Sequence, residues 1–192
     1  MQWALLNCDT ATGITFIRMN EKMDEGDIIF QERVAIGDSE DYTSLSNRLA
    51  QRSADILYGV IERIEKQRVI EGEAQDHSKA TYSSIITKEM GRIDWSSSAR
   101  QIHCRIRAFV EWPTAYTFLE GKRLKIYHAM TDEAASSGQS PGTIVAVTRS
   151  GIDVATGKGL LTITELQLEN KKRMKAYDFS RGYRDLRGNM LN

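Results

Sequence analysis

A chain of 192 residues, 41 % hydrophobic and 27 % charged with only two prolines, can bury one good core or two small ones and is not disordered. Its mean hydropathy of −0.43, the lack of any apolar run near the roughly 18–20 residues of a spanning helix and a start without a basic-then-apolar leader lead us to expect a soluble, cytoplasmic protein. The net charge of zero hides an asymmetry: residues 1–80 carry nine Lys and Arg against fifteen Asp and Glu, and residues 81–192 carry seventeen against eleven. The second half is therefore the candidate for a polyanionic partner. Cys8 and Cys104 stand far apart with no paired spacing, so two separate, reduced and buried thiols are expected, with neither a disulfide nor a zinc site.

In chain order, Met1–Leu6 reads as an apolar helix or its last turns. Residues 14–30, ITFIRMNEKMDEGDIIF, read as strand, loop, strand. Gly26 is expected to supply a positive φ for the turn back. The loop holds Glu21, Asp24, Glu25 and Asp27, four acids in seven residues, and is either a solvated hairpin tip or the rim of a site. A strand from Ile28 to Ile36 leads, with Ser39 or Asp41 as N-cap, into a helix whose apolar residues Leu45, Leu49, Ile56, Leu57, Val60, Ile61 and Ile64 form one core-facing stripe. The polar stretch 68–80 reads as a linker, which divides the chain into 1–67 and 81–192.

In the second part, Ser96 or Ser97 is expected to cap a helix running to about Phe109, with Ala99, Ile102, Ile106 and Phe109 on one face and Trp95 and Trp112 packing the core. Five β-rich runs follow, at 114–119, 122–131, 142–148, 151–156 and 160–168, punctuated by glycines. That spacing fits a small barrel of the oligonucleotide-binding (OB) type. Lys122, Arg123 and Lys125 form one basic cluster, and Lys171, Lys172, Arg173 and Lys175 another. Each is either a solvated face or a polyanion contact. His103 beside Cys104 does not suggest a metal site, and His77 is expected in solvent.

Beyond these patterns, QWALLNCDTATGITFIRM followed by MDEGDII resembles the later half of the catalytic domain of the folate-dependent formyltransferases. The likeness continues through Ala80-Thr81-Tyr82, Ile86-Thr87-Lys88-Glu89, Gly91-Arg92-Ile93-Asp94-Trp95-Ser96 and Trp112-Pro113-Thr114-Ala115-Tyr116 to Phe179, Gly182 and Gly188. There it is similar to the branch that formylates Met-tRNA, although Val110-Glu111 stand where that branch commonly has Asn-Pro. The resemblance implies an α/β fold, part of a Rossmann-like catalytic domain, followed by an OB-type tRNA-binding domain. It implies 10-formyltetrahydrofolate as formyl donor, no metal, and initiator Met-tRNA as partner; neither a membrane nor DNA is expected. Asp24 matches the family's catalytic aspartate, with Met23 for the usual leucine and Glu25 for a smaller residue. Asn20, Glu21, Lys22 and Met23 match the loop bordering the pterin. Lys88, Arg105, Arg107, Lys122, Arg123, Lys125, Lys171, Lys172, Arg173 and Lys175 are the expected RNA contacts.

The family's Asn-x-His pair has no counterpart at His77, His103 or His128. The expectation is a chain inactive alone, completed by an amino-terminal half supplied separately. The alternatives are a stand-alone RNA-binding module and an N-formyltransferase acting on an amino sugar.

Overall fold

The computed structural model describes residues 1–68, 71–183 and 185–192. Residues 69 and 70 of the expected linker lie outside the described residues. The chain folds as two compact units, residues 1 and 9–84, and residues 2–8 with 85–192.

The first unit is a hairpin and a helix. Strand β1 (Ala11–Ile17) pairs antiparallel with β2 (Ile28–Ala35), Ala11 opposite Ala35 and Phe16 opposite Phe30, with an irregularity at Phe16/Ile17. Helix α2 (Tyr42–Gln67) starts at Asp41, whose side chain accepts from Ser44 N–H while the Ser44 side chain accepts from Asp41 N–H, a reciprocal capping box. Three arginines tie α2 to β2. Arg48 donates to Ala35 O at 2.6 Å, Arg52 makes a two-pronged pair with Glu32 at 2.8 and 2.7 Å, and Arg63 donates to Ile29 O at 2.9 Å. From 48 to 63 an α-helix advances about 22 Å, and from 35 back to 29 a strand covers about 20 Å. The two elements therefore run antiparallel with these ties in step.

Leu45, Leu49, Ile56 and Val60 are buried, but Leu57 and Ile61 are exposed (43 and 46 %), contrary to the single stripe expected. Each lies one residue, about 100°, round the helix from Ile56 or Val60, off the face held against β2. Within the expected linker, Glu73 and Ile28 exchange backbone hydrogen bonds at 2.7 and 2.9 Å.

The second unit is a curved sheet wrapped on one helix. The strands are β3 (Ala115–Leu119), β4 (Lys122–Asp132), β5 (Ile144–Thr148), β6 (Gly151–Ala155), β7 (Leu160–Leu168) and β8 (Met174–Lys175), close to the five expected runs plus one short addition. Their pairing follows the path β3-β4-β7-β6-β5, with β8 on β7; among the described residues no pairing of β3 with β5 closes it. Alternation sends Ala115, Thr117, Leu119, Leu124, Ile126, Leu161, Ile163, Leu166 and Leu168 inward. It slips by one at Thr164–Glu165, where the β4 register shifts around His128.

Helix α3 (Ala99–Ala108) plugs this sheet with Ile102 and Ile106. Its cap is Ser98, in a capping box with Gln101, rather than Ser96 or Ser97. Those two instead engage the Asp94 carboxylate, and the Ser96 contacts hold Asp94 below the usual aspartate value. Gly157 closes the start of α3 by donating to Trp95 O and Ser97 O at 2.9 and 3.0 Å. A Cβ there would sit 1.8 Å from Ser96 O. Trp95 is buried and donates to the buried Thr117 hydroxyl at 3.0 Å, whereas Trp112 is half exposed and does not pack the core.

Helix α1 (Gln2–Leu6) packs on α3, with Gln2 donating to Ala108 O and Trp112 O. This packing corrects the cysteine expectation: Cys8 and Cys104 form a disulfide with Cα atoms 5.5 Å apart. Their separation of 96 residues along the chain concealed a proximity that only the packing of α1 on α3 creates. A short helix, α4 (Ala176–Ser180), covers the sheet with buried Ala176 and Phe179.

Candidate active-site loop and nucleic-acid interface

The acidic loop 18–27 of the first unit is closed at its base by Arg18, whose N–H donates to Asp27 O at 2.8 Å and whose guanidinium pairs with the Asp27 carboxylate. Inside it, Asn20 Oδ1 accepts from Lys22 N–H at 2.9 Å, and Lys22 Nζ lies 3.1 Å from Glu25 Oε2. Gly26 does not take a positive φ, contrary to expectation. A glycine is needed there because a Cβ would meet Arg18 O at 1.9 Å. The left-handed residue is Asp24 itself, at φ 58°. Gln75 fixes this turn, its Nε2 donating to the carbonyls of Asp24 and Gly26 at 2.7 Å each. The Asp24 side chain is exposed, as are Glu21, Met19 and Met23, the two methionines almost fully. The result is an aspartate presented from a braced, left-handed turn, with bare apolar side chains beside it. Gln75 was missed from sequence, because a lone glutamine in a polar stretch carries no pattern. His77 stands exposed in a 3-10 turn two residues further on.

The second unit presents a different chemistry on the outer face of its sheet. The period-2 alternation that buries Thr117 and Leu124 turns Tyr116, Phe118, Arg123, Lys125 and Tyr127 outward. Phe118 is opposite Arg123 and Tyr116 opposite Lys125 in the β3–β4 register. Arg123 lies over the Tyr116 ring at 4.5 Å and near Phe118 at 6.0 Å, and Arg92 lies 5.7 Å from Phe118. Along the same face Arg173 sits 4.1 Å over Tyr127 and donates to Glu165 at 2.7 Å. That bond, more than the nearby His128 and Lys175, holds the Glu165 carboxyl below the usual glutamate value.

Of the expected RNA contacts, Arg123, Lys125, Arg173 and Lys175 thus share one face, and Lys122, Lys171 and Lys172 are exposed on the adjoining residues of β4 and of the β7–β8 turn. Lys88 is exposed just before the 3-10 turn Glu89–Gly91. Arg105 is turned inward: its Nη1 donates to Met90 O at 2.8 Å and reaches Arg92 O at 3.3 Å, bracing the segment that carries Arg92. Arg107 Nη2 lies 3.4 Å from Cys104 Sγ. The aromatic half of the face went unread in the sequence, although alternation in AYTFL and KRLKIYH carried it. Among the described residues no group of three or more His, Cys, Asp or Glu could hold a metal ion, and no helix is long and apolar enough to cross a membrane.

Residues 85–184, more than half of the chain, match the formyl transferase C-terminal domain, and residues 1–61 match formyl transferase. The chain belongs to the formyl transferase family. It is 38 % identical over 191 residues to the methionyl-tRNA formyltransferase of Citrifermentans bemidjiense, covering all of this chain and 59 % of that relative. The chain thus spans about three-fifths of that relative's length. Among solved structures, HypX from Aquifex aeolicus in complex with tetrahydrofolic acid superposes with a TM-score of 0.69 at 16 % identity, covering 93 % of this chain and 31 % of that one. WlaRD, a sugar 3N-formyl transferase, gives a TM-score of 0.67 at 20 % identity, covering 88 % and 59 %. These two likenesses speak to the fold alone.

Proposed function

We propose that this chain works as part of a methionyl-tRNA formyltransferase, moving a formyl group from 10-formyltetrahydrofolate to the amine of initiator Met-tRNA in the cytoplasm. The observation that carries the reading is the occurrence, in one chain 38 % identical along its length to such an enzyme, of both an acidic, braced loop in the first unit and a basic, aromatic sheet face in the second. Residues 1–67 would belong to the catalytic domain. Residues 81–192 would form the tRNA-binding domain, its curved sheet serving as an OB-type barrel, with 68–80 linking the two.

In the reaction the amine nitrogen bonds to the formyl carbon, the bond from that carbon to folate nitrogen breaks, and one proton passes from the amine to the departing nitrogen. Asp24, held outward by its left-handed turn and by Gln75, is the carboxylate that orients and helps ionise the proton-moving group. The loop fits one side of a folate ring system: exposed Met23 offers a polarisable apolar surface, and Asn20, Glu21 and Lys22 its polar rim. Folate supplies the activated one-carbon unit. No histidine among residues 1–192 follows an Asn-x, so the Asn-x-His pair that the family resemblance implies would come from outside these residues.

An amino-sugar substrate, as WlaRD uses, would leave the basic face without work, and a free-standing RNA-binding module would leave the braced Asp24 turn without work. The test is binding of Met-tRNA and of a dTDP-amino sugar across salt concentrations. The tRNA reading predicts tRNA binding whose log affinity falls steeply with log salt, several counterions being released. Tight, salt-insensitive binding of the sugar nucleotide without tRNA binding would refute it.

A further inference from the structure

The arginines on the outer face of the second unit are not spread into solvent, where phosphate contact alone would place them. Each is set against a ring: Arg123 over Tyr116 at 4.5 Å, Arg173 over Tyr127 at 4.1 Å, and Arg92 near Phe118 at 5.7 Å. A guanidinium fixed on one side by an aromatic ring keeps its other planar side and its N–H rim for a ligand. Beside Arg123 a cavity of about 470 Å³ opens at the ends of β4 and β7, lined by Phe118, Arg123, Lys125, Gln167, Leu168, Glu169 and Asn170. That volume is in the range of small-ligand sites and admits one nucleotide.

Its rim is already ordered. Gln167 accepts from Tyr127 Oη at 2.8 Å and donates to Lys171 O at 2.8 Å, and the lining residue Asn170 takes a left-handed φ of 61° in the β7–β8 turn. Glu169, the one carboxylate of the lining, is engaged by the backbone, accepting from Arg123 N–H at 3.2 Å. Arg123 and Lys125 remain to meet an incoming phosphate. A duplex, whose bases are stacked inside, has no use for such a site; an unpaired nucleotide does.

We infer that this cavity seats one unpaired nucleotide of the bound RNA, its base stacked on the Arg123–Tyr116–Phe118 cluster and its phosphate on Lys125. The inference rests on the tRNA reading above and goes beyond it by naming a base-stacking contact where charge alone would suffice for affinity. The contact depends on a planar cation, so Arg123→Lys keeps the charge and removes the stack, and Phe118→Leu keeps the apolar bulk and removes the π face.

The experiment uses the full chain, a methionine-tRNA transcript, and a single-stranded RNA hexamer carrying 2-aminopurine, with tryptophan-fluorescence melts to check that each variant folds. Expected are quenching of 2-aminopurine on binding, and tRNA affinity about 5- to 150-fold weaker in each of the two variants with the salt slope unchanged. Lys125→Gln, in contrast, lowers the slope by about 0.7–0.9. Affinities of Arg123→Lys and Phe118→Leu within twofold of the parent, with the lysine variant still lowering the slope, overturn the stacking site and leave the tRNA reading standing. Absence of tRNA binding by the parent chain overturns both. Micromolar binding of AMP alone gives the cavity to a free nucleotide and overturns its assignment to RNA.

Discussion

Thr117 offers the cleanest test of how the second unit holds its binding face. It is the inward residue between the outward Tyr116 and Phe118, fully buried, and its hydroxyl accepts from Trp95 Nε1 at 3.0 Å while donating to Asn192 O at 3.0 Å. Thr117→Val replaces the hydroxyl by a methyl of similar shape and leaves a buried indole N–H without an acceptor, at a cost of about 1–3 kcal/mol. For a unit of roughly 100 residues each kcal/mol lowers the unfolding midpoint by about 4–8 °C, so a fall of roughly 4–24 °C is expected. All three tryptophans, Trp3, Trp95 and Trp112, belong to the second unit. Tryptophan fluorescence therefore follows its melting free of the first unit. Thr117→Ser keeps the hydroxyl and loses one methyl, about 0.8 kcal/mol, and should retain slow exchange of the Trp95 indole proton that the valine variant loses. A valine variant as stable as the parent, or one less damaged than the serine variant, would refute the hydrogen bond as the cause.

Other outcomes follow from the same structure. Asp41→Ala removes the α2 capping box and should cost about 1 kcal/mol of first-unit stability, read by urea unfolding followed by circular dichroism. Glu165 has its folded-state pKa depressed, chiefly by Arg173. Its stabilising contribution is therefore present above the unfolded glutamate value of about 4.3 and lost as pH falls through the lower folded value. Glu165→Gln should accordingly be less stable than the parent near neutral pH, with the difference vanishing in acid; a gap that persists there would contradict the assignment. Reducing Cys8–Cys104 opens a loop of 96 residues and should lower second-unit stability by about 2–4 kcal/mol, measured by denaturant unfolding with and without reductant. Asp24→Asn, placed in a completed enzyme, should lower formylation about 10²–10⁴-fold with tRNA affinity unchanged.

Local patterns were legible in the sequence where a period or a cap decides them. The five β runs, the inward face of α3 and the Asp41 cap all rest on neighbours a few residues apart. What escaped depends on contacts between distant segments. The Cys8–Cys104 bridge needs α1 to lie on α3, and Gly26 is a glycine because Arg18 O approaches, not because its own φ is positive. The exposed pair Leu57 and Ile61 was read as core because a hydrophobic stripe shows which residues could be buried, not how wide the covering element is. In the candidate site, Asp24 came from resemblance alone, and nothing local announced that Gln75, 51 residues away, would brace its turn. The basic residues were visible as charge. The stacking of Arg123 on Tyr116 and Phe118 required the β3–β4 register, and that of Arg173 on Tyr127 required the β4–β7 and β7–β8 pairings, none of which turn chemistry specified.

The most direct measurement is formylation of Met-tRNA with 10-formyltetrahydrofolate by the purified chain, alone and with the amino-terminal segment of a relative added. No turnover alone and turnover on addition, abolished by Asp24→Asn, is the predicted result. Robust turnover by the chain alone, or none with the segment added although it binds, would contradict the account.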